Sequence, residues 1–558
     1  MQGQQETDGD ACEVRTAGNF RWKLSAGWDE VLLDDQGGML AQWQKLGQAQ
    51  VVKHGQHRTV YRIDLPGKTV YWKHYRCSHW LTLGKHAVRH SPSYREWQRA
   101  QEIHARGIPT ITPVAFAEQR RHGLVHDSYF ITEGIADTQP LDHFALVTLP
   151  TLPSAERDHL RKQLLDGLGR MCAEIHRAGV HHNDFHAGNV LVQQCGDKLP
   201  LYLIDVPGVS FSGPMNWSAS CHSLAMFASG LLGSTTWRDR WRVWRAYRKH
   251  RPDLDWSKPK QKAEQVERLS QTLAMRIIRG RDKRAWSTNK DFYRIASRQY
   301  LGFATRSVSP ELMKKLLENP HQPSHQGRHE PVKISHSSLV VKTTLPIDGQ
   351  PLAVAYKRSR PKTWLKAVAA WLQPRRLLRG WHVGHALLSR GIATPRPLLA
   401  AVSRRGQAGF VATEWLTDAL DLHLYAWQLA ELPADQRDAR VRQTAESLGR
   451  LLGRMHAWHV SHRDLKANNL MARETPTGLE TFLIDLDGVC LTRHLSPRDW
   501  MHDLSRLAAS LRRYPWISRT NLLRFLQAYL SQHPAPVPIW QTLWRGIQQH
   551  TQGRKSVW

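Results

Sequence analysis

The stretch HHNDFHAGNVLVQQCGDKLPLYLIDVPGV, residues 181–209, places Asp184, Asn189 and Asp205 among apolar, strand-like runs. An Asp, an Asn five residues on and a second Asp at the end of an apolar strand form the spacing of a kinase-type phosphoryl-transfer loop. The residue types follow from the chemistry. A phosphoryl group in transfer needs positioning more than covalent help, so the protein supplies one carboxylate for the acceptor hydroxyl and two oxygen ligands for magnesium. Asp184 is the candidate for the first role, Asn189 and Asp205 for the others. The pattern recurs as SHRDLKANNLMARETPTGLETFLIDLDGV, residues 461–489, with Asp464, Asn469 and Asp485. Each lies 280 residues beyond its counterpart, so the chain carries a duplicated domain.

Working outward from the first stretch, VVKHGQHRTVYRIDLPGKTVYWKHYR alternates β-branched and aromatic residues with polar ones around a Pro-Gly turn, which predicts a hairpin ending at Lys73. A helix from Tyr94 to Ala105 follows, stopping at Gly107. DSYFITEG then predicts a strand leading to a hinge near 133–134, and RDHLRKQLLDGLGRMCAEIHRAGV an amphipathic helix feeding the loop. Residues 235–300, rich in Trp and Arg, read as mostly helical. Pro, Gly, Gln and His cluster without periodicity at 318–331, where a linker is expected.

The second half repeats the plan, with a hairpin ending on Lys357, a helix stopping at Gly391 and a hinge near 414–415. The offset is 284 at the lysines and 281 at Thr132 and Thr413, so the loops differ by a few residues while the register persists. A repeat of this length is a duplication rather than a solenoid. The expected architecture is α+β: two tandem, bilobal, protein-kinase-like domains at 21–317 and 332–558, each with a small β-rich lobe and a mainly helical large lobe. Residues 1–20, polar and acidic, are expected to be disordered.

Length and composition agree with this reading. A chain of 558 residues suits two domains of roughly 250 residues rather than one core. Lys and Arg exceed Asp and Glu by 30, which implies an anionic partner or surface. Six scattered cysteines without a CxxC pair point to a reduced, cytosolic setting. The N-terminus lacks the basic start and apolar core of a signal peptide, and no apolar run approaches about 20 residues, so any membrane contact is expected to be peripheral.

A single H-x-D with a following Asn would be weak evidence and would favour a polar turn between a helix and a strand. Its recurrence, each time with a lysine upstream and a strand-end Asp downstream, decides for the kinase-like fold. Lys73 and Lys357 would hold nucleotide phosphates. Glu96 is suited to pair with Lys73, but the equivalent position, eleven residues before Gly391, is Gly380, which leaves Lys357 without an obvious partner. His182 and His462 read as structural. Lys466 would stabilise the phosphoryl group in transfer, where the first domain has His186. Neither half has a glycine-rich phosphate loop: the first offers Gly55 and the second no glycine. The Trp- and Arg-rich stretches suit either an anionic surface or helices with Trp inward and Arg outward.

These motifs resemble the lipopolysaccharide core kinases, the Kdo and heptose kinases of Gram-negative bacteria, over about 50–300 and 332–520. The V-x-W-K strand, the helix ending in GIPT or GIAT, the H-x-D-x-x-x-x-N loop and the LID strand carry the resemblance. It implies phosphorylation of an inner-core sugar hydroxyl with ATP and Mg2+, by a cytoplasmic protein peripheral to the inner membrane, acting on an anionic lipid A-core glycolipid. It assigns Asp184 and Asp464 as catalytic, Lys73, Glu96 and Lys357 as nucleotide-binding, and Asn189, Asp205, Asn469 and Asp485 as metal ligands. The first domain departs from the pattern at Asn183, Pro207 and Ser223, the last standing where the second has Asp503, an expected anchor of the loop. The alternatives are a protein or small-molecule kinase of this fold and a partly pseudokinase scaffold in envelope assembly. Nucleic acid is not expected as a partner.

Overall fold

The computed structural model describes residues 12–34, 37–55, 57–76, 90–121, 124–196, 198–324, 330–334, 338–359, 375–404, 408–476, 478–533, 541 and 545–546. The chain divides into two compact units, Met1–Leu231 with Asp239–Ser270, and Leu232–Arg238 with Gln271–Trp558.

In the first unit the small lobe is one antiparallel seven-stranded sheet. Its spatial order is Cys12–Ala17, Phe20–Ser25, Pro113–Arg121, Leu124–Glu133, Lys68–Arg76, Arg58–Leu65 and Ala49–His54. The central hairpin sets Val60 opposite Lys73 and closes on Pro66-Gly67, where Gly67 takes φ 76°, a value only glycine adopts without strain. Alternation puts Tyr61, Ile63, Val70 and Trp72 on a buried face with Trp22 and Trp43, and the Trp22 and Trp43 rings meet Trp72 edge to face. Against this sheet lies the helix Pro92–Ala105, started by Ser91, whose side chain accepts from Tyr94 N, with Pro92 in the first turn.

The large lobe is built on the helix Ser154–Arg177, whose apolar stripe of Leu160, Leu164, Leu168, Met171 and Ile175 is buried. A Cβ on Gly169 would sit 2.4 Å from Val243 O, so the glycine of the LGR segment permits the helix Trp237–Lys249 to cross at backbone distance. The second unit repeats this at Gly449, where a Cβ would lie 2.4 Å from Phe525 O of the helix Arg519–Ser531. Beyond the long helix, Val180–His182 pairs with Val209–Phe211, and Val190–Gln193 with Leu201–Leu203. These two short ladders hold the quoted stretch.

The second unit has the same sheet order: Phe292–Ala296, Tyr300–Thr305, Pro397–Ser403, Gly409–Glu414, Gln350–Ser359, Ser338–Ile347 and Glu330–Ile334. Three expectations are corrected here. Residues 235–300 are helical only over Trp237–Lys249 and Pro259–Arg284; Phe292–Ala296 is a strand, paired through Tyr300–Thr305 into the second sheet. The boundary therefore falls near Ser270, not at 318–331, because the first two strands of the second sheet and the buried residues Met313, Leu316 and Leu317 belong to the second small lobe. Cys12–Ala17 pairs in register with Phe20–Ser25, so structure begins within the stretch expected to be disordered; residues 1–11 lie outside the described residues. The five described cysteines are free. No helix among the described residues is long and apolar enough to cross a membrane.

Candidate active site

In both units the candidate catalytic Asp sits between a short strand and a 3-10 turn, held by its own segment. Asp184 N donates to His182 Nδ1 at 3.2 Å and Asp464 N to His462 Nδ1 at 3.2 Å. Because Nδ1 accepts, the proton of neutral His182 rests on Nε2, which donates to Ile204 O at 3.3 Å. Burial pushes the His182 and His462 imidazoles below their ordinary range, which suits neutral spacers and matches the structural reading of both. Asn183 N and Arg463 N donate to Gly208 O and Gly488 O at 3.2 and 3.1 Å. Those backbone bonds tie the loop to the segment after the strand-end Asp whether the residue is Asn or Arg.

Asn189 Nδ2 donates to Asp184 O at 2.8 Å and Asn469 Nδ2 to Asp464 O at 2.7 Å, so the amide oxygen is the atom each Asn has for a cation. Asp205 and Asp485 follow buried strands at φ 60° and 56°, left-handed values that Asp tolerates better than most residues. An amide oxygen and a carboxylate are hard donors, so this set fits magnesium, completed by phosphate and water oxygens.

The two units differ in how they hold the lysine. Lys73 Nζ lies 2.7 Å from Glu96 Oε2, with Glu96 1% exposed, and its ammonium is 5.4 Å from the centre of the Phe130 ring. The Tyr75 hydroxyl donates to Glu96 Oε1. Burial, then the neighbouring Glu96 carboxylate, pushes the Tyr75 phenol well above its ordinary range, so it remains a donor. Lys357, lacking a helix Glu, has Asp487 Oδ2 at 3.6 Å. Sequence reasoning missed this partner, whose only signal is the DLD of the second strand end against DVP in the first.

The loop anchors differ in the opposite sense. Asp503, 1% exposed, accepts from His462 N at 2.8 Å and lies 3.3 Å from His456 Nε2. The first unit has the shorter Ser223 at that position, and His176 Nε2, the counterpart of His456 Nε2, is buried without a hydrogen-bond partner.

The Asp environments diverge as well. Asp184 is largely exposed, with His186 Nε2 3.5 Å from Oδ2. Asp464 has Lys466 Nζ 2.9 Å from Oδ2 and accepts from Arg506 Nη2 at Oδ1. Arg506 was not foreseen; it stands one helical turn beyond Asp503, on the same side of the helix Pro497–Leu511. Partial burial would raise the Asp464 carboxyl, but Lys466 and Arg506 outweigh it and hold it below the usual carboxylate range. A base with a depressed pKa stays ionised to lower pH. Arg506→Ala is therefore expected to move the acidic limb of the second domain's kcat/KM profile to higher pH, measured in an Asp184→Asn chain; an unmoved limb would show that Arg506 does not tune Asp464.

Comparison with known proteins places this geometry in a family. The model of the lipopolysaccharide kinase (Kdo/WaaP) family matches residues 41–217 and 360–529. The chain is 26% identical to the lipopolysaccharide core heptose(I) kinase WaaP of Pseudomonas aeruginosa over 210 residues, 36% of this chain and 77% of that protein. It is 29% identical to the 3-deoxy-D-manno-octulosonic acid kinase of Haemophilus influenzae over 138 residues, 24% of this chain and 53% of that protein. A solved structure of WaaP in complex with acyl carrier protein aligns at a TM-score of 0.34 with 21% identity, covering 45% of this chain and 99% of that one. With both halves matched over more than half of its length, the chain belongs to the lipopolysaccharide kinase (Kdo/WaaP) family.

Proposed function

We propose that the chain is an ATP-dependent sugar kinase that phosphorylates heptose or Kdo hydroxyls in the inner core of lipopolysaccharide. The observation that carries this reading is the duplicated Asp–Asn–Asp constellation, each copy preceded by a lysine on a small-lobe strand, Lys68–Arg76 or Gln350–Ser359, in a chain of this family. Asp184 and Asp464 orient the acceptor hydroxyl and take its proton. Lys73, fixed by Glu96, holds the nucleotide phosphates in the first domain, and Lys357 does so in the second. Asn189 with Asp205, and Asn469 with Asp485, would hold magnesium, which neutralises phosphate charge during transfer. The excess of 30 basic residues suits an anionic glycolipid acceptor and an anionic lipid surface, consistent with a protein peripheral to the inner membrane on its cytoplasmic side.

One observation favours a second reading for one half of the chain. In the second domain Lys357 pairs with Asp487 instead of a helix Glu, and Asp464 is engaged by two cations, an arrangement compatible with a scaffold that turns over poorly. The deciding experiment is the phosphate content of core oligosaccharide, by mass spectrometry, from a deletion strain complemented with wild type, Asp184→Asn, Asp464→Asn or both. Loss of a different phosphate with each substitution is the expected result. Loss with Asp184→Asn alone makes the second half a scaffold. A core unchanged by the double substitution ends the core-kinase reading.

A further inference from the structure

Between the strands Ala49–His54 and Arg58–Leu65, where a kinase carries its phosphate loop, the sequence has one glycine, Gly55, too few to wrap phosphates in backbone amides. At its far end stands Arg58, its side chain 25% exposed. Arg58 Nη1 is 3.9 Å from Glu96 Oε1, 3.7 Å from Asp205 Oδ1 and 3.5 Å from the Tyr75 hydroxyl. One guanidinium thus spans the lysine strand, the helix that fixes the lysine and the strand-end Asp, the three elements among which the nucleotide phosphates are proposed to lie.

The charges explain what the residue can do. Lys73 and Arg58 face Glu96 and Asp205, two cations against two carboxylates. A metal ion on Asp205 would compete with Arg58 for that carboxylate and release guanidinium donors beside the phosphates. A planar guanidinium matches phosphate oxygens two at a time, which an ammonium cannot do. Among the described residues the hairpin register gives the second domain no counterpart: Arg58 lies across from Tyr75, two residues past Lys73, and the same register puts Ser338 across from Ser359, two residues past Lys357.

We propose that Arg58 binds the polyphosphate of the nucleotide in the first domain, in place of a glycine-rich loop, and yields Asp205 to the metal as it does so. This rests on the first domain's being a nucleotide site, as argued above. The test is binding, without acceptor or turnover. A full-length Lys357→Ala chain, lacking the second domain's phosphate lysine, is titrated with a fluorescent ATP analogue in Mg2+, and separately with Mn2+ alone, followed by its paramagnetic resonance. Arg58→Gln is expected to weaken nucleotide binding about ten- to hundred-fold, with part recovered by Arg58→Lys, while Mn2+ binds no less tightly because Asp205 has lost a competitor. Unchanged nucleotide affinity in Arg58→Gln overturns the proposal. So does a parallel loss of nucleotide, Mn2+ and thermal stability, which would mark Arg58 as a structural strut. Should Arg58→Gln fail to fold, Arg58→Lys alone decides: several-fold weaker nucleotide binding supports the bidentate role and equal binding overturns it. A chain that binds nucleotide through Arg58 yet leaves the core unphosphorylated would sink the sugar-kinase reading and leave this one standing.

Discussion

Replacing Asp503 with alanine is expected to abolish turnover by the second domain and to destabilise that domain by about 2–4 kcal/mol. The carboxylate is 1% exposed and accepts from His462 N at 2.8 Å. Without it a buried backbone donor loses its partner, and His456 Nε2, 3.3 Å from the same oxygen, loses its own. The loop carrying Asp464 would then lose its buried anchor on the helix Pro497–Leu511, keeping only the more exposed contacts of Arg506 with Asp464 and of Ser510 with Ala467 N. The first domain is expected to be unaffected, since Ser223 occupies the equivalent place. Urea unfolding of the full chain should show two transitions, of which only one moves to lower denaturant in Asp503→Ala. Turnover is read in an Asp184→Asn chain. A second domain that keeps its turnover and its transition would show that Asp503 is not the anchor.

The mirror experiment is Glu96→Ala in an Asp464→Asn chain, where only the first domain can work. Glu96 is buried and serves Lys73 at 2.7 Å and the Tyr75 hydroxyl. Its removal leaves an ammonium with a 13% exposed side chain facing no carboxylate at that distance, at a cost of about 3 kcal/mol. Turnover is expected to fall about a hundredfold or more, because Lys73 would no longer be held where the phosphates need it. Glu96→Gln, which keeps the hydrogen-bonding shape but not the charge, should fall between. Coupled-assay kinetics on the three chains provide the measurement, and turnover unchanged in Glu96→Ala would remove the Lys73–Glu96 pair from the mechanism.

Each substitution targets a support that one domain has and the other lacks. The first domain fixes its lysine with a helix carboxylate but leaves His176 Nε2 without a partner where the loop anchor would be. The second anchors its loop on Asp503 but pairs its lysine with Asp487 across a more exposed 3.6 Å contact. Such divergence after duplication suits two sites relieved of identical duties, and the pair of experiments measures how much each support contributes.

The sequence by itself determined the elements with strong local periodicity and the motifs of fixed spacing. The hairpins carrying Lys73 and Lys357 alternate with period two, although their strands run on to Arg76 and Ser359, and the long helices before each Asp–Asn loop carry a continuous apolar stripe. The Asp-to-Asn interval is set by one short turn, so it is written in consecutive residues. Other features were not legible because their partners are distant in the chain. The strand Phe292–Ala296, five residues with exposed Arg and Ala, has no periodicity to separate it from the helix before it; only pairing through Tyr300–Thr305 into the second sheet makes it a strand, and that moved the domain boundary from 318–331 to about residue 270. The cations around the sites were hidden for the same reason. Arg506 reaches Asp464 across 42 residues, and Arg58 reaches Asp205 across 147. In a chain this rich in arginine no local signal separates these from the rest. Local periodicity and short turns act over a few residues and are read directly, whereas the charge that neighbours a carboxylate is chosen by which elements the hydrophobic cores bring together, and that only the tertiary structure decided.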